Sequence, residues 1–178
     1  MKTVNILISG FGGQGVLFTG KFLAYEGLLE QKEVTWLPSY GPEMRGGTAS
    51  CSVIISDSPI GSPLVPNPDV LIAMNLPSLD KFENAVVPGG MIFYDSSLID
   101  RKVVRTDIKA FGIPATKLAS DAGMPTLANM IVMGKMLKET AMFPYEAIDR
   151  TIAKVVSAKR QNLIELNKKA IETGYNMD

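Results

Sequence analysis

The chain of 178 residues contains no histidine and only one cysteine, Cys51. The absence of histidine excludes imidazole catalysis, Ser-His-Asp and Cys-His nucleophile systems, and histidine-based zinc sites within this chain. A single thiol cannot form an internal disulfide bond. It also cannot hold an iron–sulfur cluster, which usually takes four cysteine ligands. The chain by itself therefore lacks the residues for several common catalytic and electron-transfer centres.

An excess of charge and a long apolar run are absent as well. Lys+Arg and Asp+Glu are 18 each, which gives a formal net charge of zero, whereas proteins that bind nucleic acid usually carry a basic excess. No apolar stretch approaches the ~20 residues that span a bilayer, and the N-terminus lacks the pattern of a secretory signal peptide. We therefore expect a cytoplasmic protein that binds neither nucleic acid nor a membrane.

The apolar pattern alternates between short strand-like runs and amphipathic helical segments. This alternation predicts an α/β fold, Rossmann-like, with three layers (α/β/α), a mainly parallel sheet and a helical C-terminal third. No linker divides the chain, so we expect a single domain over residues 1–178. The predicted strands are Val4–Ser9, Glu33–Leu37, Thr48–Ser56, Asp69–Asn75, Met91–Asp95 and Asp107–Phe111. The predicted helices are Gln14–Glu30, Pro77–Ala85, Pro114–Ala122, Pro125–Thr140, Pro144–Ser157 and Arg160–Thr173.

A glycine-rich segment, GFGGQG over residues 10–15, lies between the first predicted strand and the first predicted helix. Its G-x-G-x-x-G spacing is that of dinucleotide-binding turns, in which glycines let the backbone approach an anion at a helix N-terminus. The second predicted strand, however, runs into Pro38 and does not end in the acidic residue that binds a ribose hydroxyl. Three interpretations stay open: an NAD or FAD site, a tight turn that packs the helix, and a site for another phosphate-bearing ligand or a partner.

A second segment, SYGPEMRGG over residues 39–47, follows the second predicted strand. It should therefore emerge at the same carboxyl edge of the sheet as the glycine-rich segment. Glu43 and Arg45 form either a local ion pair in a structural turn or part of a loop that binds an anion or a partner, with the guanidinium as a planar donor.

Sulfur-containing residues are expected mostly in the core. Cys51 lies on the apolar face of the third predicted strand, where it should act as a buried small hydrophobe. Met130, Met133 and Met136 recur at helical spacing, which indicates core packing or, alternatively, a soft interface with a partner.

Four segments together resemble the gamma subunit of 2-oxoacid:ferredoxin (acceptor) oxidoreductases over essentially the whole chain. They are ISGFGGQGV (Ile8–Val16), WLPSYGPEMRGGTASCSV (Trp36–Val53), NPDVLIAMN (Asn67–Asn75) and NMIVMGKML (Asn129–Leu137). The YGPEMR form is more similar to the 2-oxoglutarate and branched-chain 2-oxoacid members than to the pyruvate-specific ones. Residues 121–125 lack the Gly-Asn pair expected before the following helix, which leaves the role of that loop open.

The resemblance implies a subunit of an enzyme that decarboxylates a 2-oxoacid, chiefly 2-oxoglutarate, with coenzyme A, giving acyl-CoA, carbon dioxide and reduced ferredoxin. It also implies alpha, beta and delta-type partner subunits, with ferredoxin reached through the complex. Thiamine diphosphate, magnesium, iron–sulfur clusters and most of the coenzyme A site are implied to belong to those other subunits. We therefore expect no catalytic or metal-binding residue here, no cofactor bound by the chain alone, and no activity of the isolated chain.

The two loops carry the candidate binding residues, for contact with coenzyme A phosphates or with a neighbouring subunit. These candidates are Gly10, Gly12, Gly13, Gln14, Gly15, Tyr40, Glu43, Arg45, Gly46 and Gly47. Two alternatives remain: a free-standing NAD(P)- or FAD-dependent oxidoreductase, and a purely structural subunit.

Overall fold

A six-stranded sheet forms the centre of the molecule. The structure, a computed structural model, describes residues 3–39, 48–156 and 161–178. The strands are β1 (Val4–Phe11), β2 (Glu33–Ser39), β3 (Thr48–Ser56), β4 (Val70–Ala73), β5 (Met91–Asp95) and β6 (Lys109–Ile113). They lie in the order β2-β3-β1-β4-β5-β6. All six predicted strands are therefore present.

One strand runs against the others. The pairs β1–β4, β4–β5 and β5–β6 are parallel, whereas β3 is antiparallel to both of its neighbours, β1 and β2. Consequently β2 points the same way as β1, with the reversed β3 between them. The expectation of a mainly parallel sheet is confirmed, and the carboxyl ends of β1, β2 and β4 share one edge with the start of β3.

Helices cover both faces of the sheet, as the three-layer prediction requires. They are α1 (Val16–Leu29), α2 (Leu76–Phe82), α3 (Ala115–Asp121), α4 (Ala128–Thr140), α5 (Ile148–Val155) and α6 (Gln161–Tyr175). All except α2 contribute to one core, in which Leu23, Met133 and Ile171 pack with Ile6 and Ile72 of the sheet. Leu79 of α2 packs on the opposite face, with Leu7 and Leu71. No helix in the described ranges is both long and apolar enough to cross a membrane.

Helix α4 is the most deeply buried helix of the larger core. Met130, Met133 and Met136 have no exposed surface, so the core interpretation of the methionine spacing is confirmed. The helix crosses α6 at two glycines. A Cβ on Gly134 would lie 2.1 Å from the carbonyl oxygen of Ile171, and one on Gly174 would lie 1.8 Å from that of Ile131. The two backbones touch because neither glycine has a side chain.

Several predicted boundaries are wrong by two to four residues. Strand β1 extends to Phe11, so that Gly10 lies inside it, and β6 begins at Lys109, two residues later than predicted. Helix α4 begins at Ala128, not at Pro125, because residues 124–127 form a turn in which Leu127 N donates to Met124 O. Similarly, a 3₁₀ turn at Tyr145–Ala147 precedes α5.

Candidate functional site

The glycine-rich segment lies at the carboxyl edge of the sheet, between the end of β1 and the start of α1. Phe11 is paired with Thr48, and Ser39 is paired with Ser50. The strand ends that flank residues 40–47 therefore lie beside this turn, as the sequence predicts. The remaining candidates, Tyr40, Glu43, Arg45, Gly46 and Gly47, lie outside the described residues.

Two glycines of the turn adopt backbone angles that side chains disfavour. Gly13 has φ 92° and Gly15 has φ 74°, both in the left-handed region. Gly15 is the N-cap of α1, so its predicted place inside the first helical turn is wrong by one position. Gly12 and Gly13 are exposed, whereas Gln14 and Gly15 are half-buried.

Gly10 is required for a different reason, which is close packing. It has an ordinary strand conformation, but a Cβ there would lie 2.7 Å from Gln14 Oε1 and 2.8 Å from Met74 Cβ. Such distances are well inside van der Waals contact, so any side chain would displace the end of β4 or the Gln14 amide.

The Gln14 side chain fixes the shape of the turn. Its Oε1 accepts a hydrogen bond from Phe11 N at 2.6 Å, and its Nε2 donates to Met74 O at 3.0 Å. Met74 N in turn donates to Ser9 O at 2.8 Å. Gln14 therefore ties the turn to the sheet, and both ends of its amide are already occupied.

Asn129, in the first turn of α4, is a site residue that the sequence did not identify. Its side chain is buried, and Nδ2 donates to Gly15 O at 3.2 Å and to Thr19 Oγ1 at 3.0 Å. Within the described ranges, Oδ1 has no hydrogen-bond partner. A Cβ on Gly15 would lie 2.4 Å from Nδ2. The contact spans 114 residues, and no local pattern could have indicated it.

The N-terminus of α1 faces the turn. Among the residues that the structure describes, no side chain caps this end of the helix, and its first turn contains no acidic residue. The first backbone bond of the helix is Thr19 N to Gly15 O, at 3.0 Å. The preceding N–H groups therefore have no partner within the helix and carry a partial positive charge.

Open space adjoins Gly13, two residues before the N-cap of α1. Among the described residues, no atom lies within 4 Å of the position that a Cβ on Gly13 would occupy. An uncapped helix N-terminus with room beside it is a suitable place for a phosphate or carboxylate. Phe11, two residues before Gly13, is 37% exposed.

The single thiol, that of Cys51, lies beneath α1 and is not part of the glycine turn. A Cβ on Gly20 would lie 2.3 Å from Cys51 Sγ. Burial raises the pKa of Cys51 to about 12, against a smaller lowering effect from its hydrogen bond with Trp36. The thiol is therefore protonated at neutral pH and is not a nucleophile there. Nor do the described residues contain a group of three or more Cys, Asp or Glu that could hold a metal ion.

Comparisons with known proteins identify similar chains. The family model described as pyruvate ferredoxin/flavodoxin oxidoreductase matches residues 5–177. The ketoisovalerate oxidoreductase subunit VorA of Methanothermobacter thermautotrophicus is 40% identical over 96% of this chain and 35% of its own length. The 2-oxoglutarate synthase subunit KorC of Methanocaldococcus jannaschii is 33% identical, over 92% of this chain and 90% of its own.

A solved structure has the same fold. The gamma subunit of a keto/oxoacid ferredoxin oxidoreductase from Geobacter sulfurreducens superposes with a TM-score of 0.81 at 29% identity, covering 97% of this chain and 96% of its own. The chain spans only about a third of the length of the VorA proteins, 35% and 36% in the two that match. In those relatives the matching region is thus one part of a longer protein.

Proposed function

This chain belongs to the pyruvate ferredoxin/flavodoxin oxidoreductase family, and we propose that it is the gamma subunit of a 2-oxoacid:ferredoxin oxidoreductase. The complex would decarboxylate a 2-oxoacid with coenzyme A to yield acyl-CoA, carbon dioxide and reduced ferredoxin. The names of the relatives, 2-oxoglutarate synthase and ketoisovalerate oxidoreductase, make 2-oxoglutarate and ketoisovalerate the substrates to test, with 2-oxoglutarate first.

Within that complex, we propose that the glycine turn contacts a phosphate group of coenzyme A. The observation that carries this proposal is the uncapped N-terminus of α1 beside open space at Gly13. Backbone N–H groups there can donate to phosphate oxygens, and each hydrogen bond to a charged group contributes roughly 1.5–3 kcal/mol. Gln14 and Asn129 hold the turn in this shape before any ligand binds.

The other cofactors of such a complex do not fit this chain. An iron–sulfur cluster usually takes four cysteines, and the sequence has one. The described residues also contain no group of three or more Cys, Asp or Glu side chains that could hold a metal ion. We propose that the partner subunits hold the clusters and the magnesium-bound thiamine diphosphate, and that the complex is cytoplasmic.

The strand order of the sheet supports the alternative of a free-standing dinucleotide oxidoreductase less well than it supports the subunit assignment. In dinucleotide-binding folds, the second strand neighbours the first and its end reaches the ribose. Here the antiparallel β3 separates β2 from β1, and β2 ends in the exposed Ser39. Titration of the purified chain with NAD(P) or FAD tests this alternative directly, and we expect no binding.

Gly13→Asn is the variant that best tests the contact with coenzyme A. Gly15→Ala would not be informative, because its methyl group would collide with Asn129 whether or not a ligand binds. Asn tolerates the left-handed region, and at Gly13 its side chain would enter open space, where the ligand is proposed to lie. We expect the KM for coenzyme A to rise at least ~10-fold, the equivalent of one lost hydrogen bond of ~1.4 kcal/mol.

Gly123→Asn is the matched control, since Gly123 also has a positive φ of 71° and no atom within 4 Å of its Cβ position. Both variants should show a similar small loss of thermal stability, but only Gly13→Asn should change the KM for coenzyme A. An unchanged KM in an assembled Gly13→Asn complex would remove the proposed contact. Failure of the wild-type chain to assemble with thiamine- and cluster-binding subunits would refute the subunit assignment itself.

A further inference from the structure

The outer face of α1 is unusually apolar for a helix at the surface of a protein. The helix carries only two charged side chains, Lys21 and Glu26, and Glu26 is buried. A surface helix normally presents charged and polar residues to solvent, whereas a helix that is apolar all round is normally covered. The outer face of α1 therefore has the composition of a surface that another protein covers.

Five residues form this face, which we call the α1 stripe. They are Leu17, Phe18, Lys21, Tyr25 and Leu28. Positions three or four apart lie on the same side of a helix, so these side chains form one continuous row of about three turns. Tyr25 and Leu28 are exposed, and the other three are half-buried. Apart from Lys21, every member is aliphatic or aromatic.

Trp36 of β2 lies beside the α1 stripe and widens the apolar surface. Its indole contacts α1 at Gly20, where a Cβ would lie 3.0 Å from Nε1 and 3.3 Å from Cδ1. The side chain is nevertheless 41% exposed, and β2 is the outermost strand on its side of the sheet. Contiguous exposed apolar surface that contains Trp and Tyr is typical of protein–protein interfaces, in which both residues are enriched.

Lys21 is the only charged residue of the α1 stripe. Its Nζ lies 5.8 Å from the centroid of the Tyr25 ring, and it forms no ion pair with any residue that the structure describes. Covering a cation with an apolar surface is costly unless that surface also supplies an opposite charge. A partner that fits the stripe is therefore apolar and has an aspartate or glutamate opposite Lys21.

The α1 stripe begins next to the glycine turn. Leu17 and Phe18 are the second and third residues of α1, directly after the N-cap Gly15. In the proposed function, another subunit holds most of the coenzyme A molecule that the turn contacts. That subunit must therefore approach the end of α1 at which the stripe begins.

We propose that the α1 stripe and Trp36 form the docking surface for the subunit that completes the coenzyme A site, an inference that rests on the proposed function for the existence of that subunit. The contacting surface of that subunit is apolar and presents a carboxylate to Lys21. Burial of the apolar side chains stabilises the contact, and the ion pair fixes its register.

The first test compares two matched variants in binding assays with the purified thiamine- and cluster-binding subunits. Leu28→Glu introduces a charge into the α1 stripe at a residue that is 56% exposed. Leu64→Glu makes the same change at a residue that is 66% exposed and adjoins Val65, which packs on the opposite face of the sheet. We expect Leu28→Glu to raise the Kd of assembly at least 10-fold and Leu64→Glu to leave it unchanged. Circular dichroism checks that both chains fold.

A second pair of variants tests the charge. Lys21→Met keeps an apolar stem of similar length, whereas Lys21→Glu places a negative charge opposite the expected carboxylate. We expect Lys21→Glu to weaken assembly more than Lys21→Met does, and the difference to shrink as the salt concentration rises, because salt screens charge interactions. Equal Kd values for these two variants would refute the carboxylate opposite Lys21.

Trp36 provides a test that needs no substitution. It is the only tryptophan of the chain, so a chain labelled with 5-fluorotryptophan gives a single ¹⁹F signal. We expect this signal to shift when the partner subunits bind, and to lose its dependence on the H₂O/D₂O ratio because the indole is then shielded from water.

The outcomes separate this inference from the proposed function. A wild-type chain that does not assemble would refute the function. Normal assembly with an unchanged ¹⁹F signal, or with an unchanged Kd for folded Leu28→Glu, would refute the docking surface alone, as would equal weakening by Leu64→Glu. A wild-type chain that forms a dimer in sedimentation, which Leu28→Glu disrupts without changing assembly with the other subunits, would assign the stripe to a second copy of this chain instead.

Discussion

The crossing of α4 and α6 gives the sharpest prediction for stability. In Gly134→Ala, the new methyl carbon would lie 2.1 Å from Ile171 O, 3.0 Å from Ile171 C and 3.0 Å from Tyr175 N. All three are backbone atoms, so no change of side-chain rotamer can relieve the contact. Since a carbon–oxygen contact needs roughly 3.3 Å or more, the helices would have to separate by roughly 1 Å.

Overpacking in a core typically costs about 1–3 kcal/mol, and occasionally more. We expect the upper end, about 3 kcal/mol, because the separation would also loosen the contacts of Met133 and Ile171 in the core. For a chain of this length, the loss corresponds to a fall in Tm of roughly 6–12 °C. Thermal and urea unfolding, followed by circular dichroism, provide the measurement.

Gly61→Ala is the control for this prediction, because no atom lies within 4 Å of a Cβ on the exposed Gly61. Its free energy of unfolding should stay within about 0.5 kcal/mol of wild type. A Gly134→Ala chain that unfolds within the same limit would refute the reasoning, since it would mean that the helices are not in backbone contact.

Three further predictions concern other buried groups. Asn129→Ala should lower the free energy of unfolding by about 1–3 kcal/mol in a denaturant titration, since it removes two hydrogen bonds to the start of α1; an unchanged midpoint would contradict it. Cys51, with its pKa raised to about 12 by burial, should resist thiol reagents at pH 8 in the native chain and react in denaturant; rapid native labelling would contradict its burial. Burial also raises the pKa of Glu26 above 4.5, despite its hydrogen bond from Thr151 and the nearby Arg150. The folded state therefore holds this proton to a higher pH than the unfolded state does, and the contribution of Glu26 to stability falls as the pH rises above 4.5 through the folded pKa. Relative to wild type, Glu26→Gln should be more stable at pH 8 than at pH 5. A difference in unfolding free energy between the two chains that does not depend on pH would contradict this.

The order of elements was predictable because hydrophobic periodicity differs between strands and helices. The direction of β3 was not, because alternation with a period of two looks the same in either direction along a strand. Its reversal follows instead from its pairing with β1, in which Ile8 is opposite Cys51 and Phe11 is opposite Thr48.

Helix starts were the least predictable feature, since the residues that begin them lack the usual capping side chains. Leu127 and Ala147 are the N-caps of α4 and α5, and neither provides a side-chain hydrogen bond. The prolines that suggested earlier starts belong to the preceding turns. By contrast, Asn75 caps α2 through a bond from Ser78 N at 2.9 Å, a pairing that is local in sequence.

The glycine turn shows why a motif alone did not decide between packing and ligand binding. Gly10 and Gly15 are required by their neighbours, Met74 and Asn129, whereas Gly13 has open space beside it. Packing therefore explains Gly10 and Gly15, whereas Gly13 has room for a ligand among the described residues. The neighbours that make this distinction are Met74, directly after β4 and 64 residues from Gly10, and Asn129 of α4, 114 residues from Gly15. A substitution at Gly10 or Gly15 would change stability under either interpretation, so Gly13 is the better position at which to measure the role of the turn in binding.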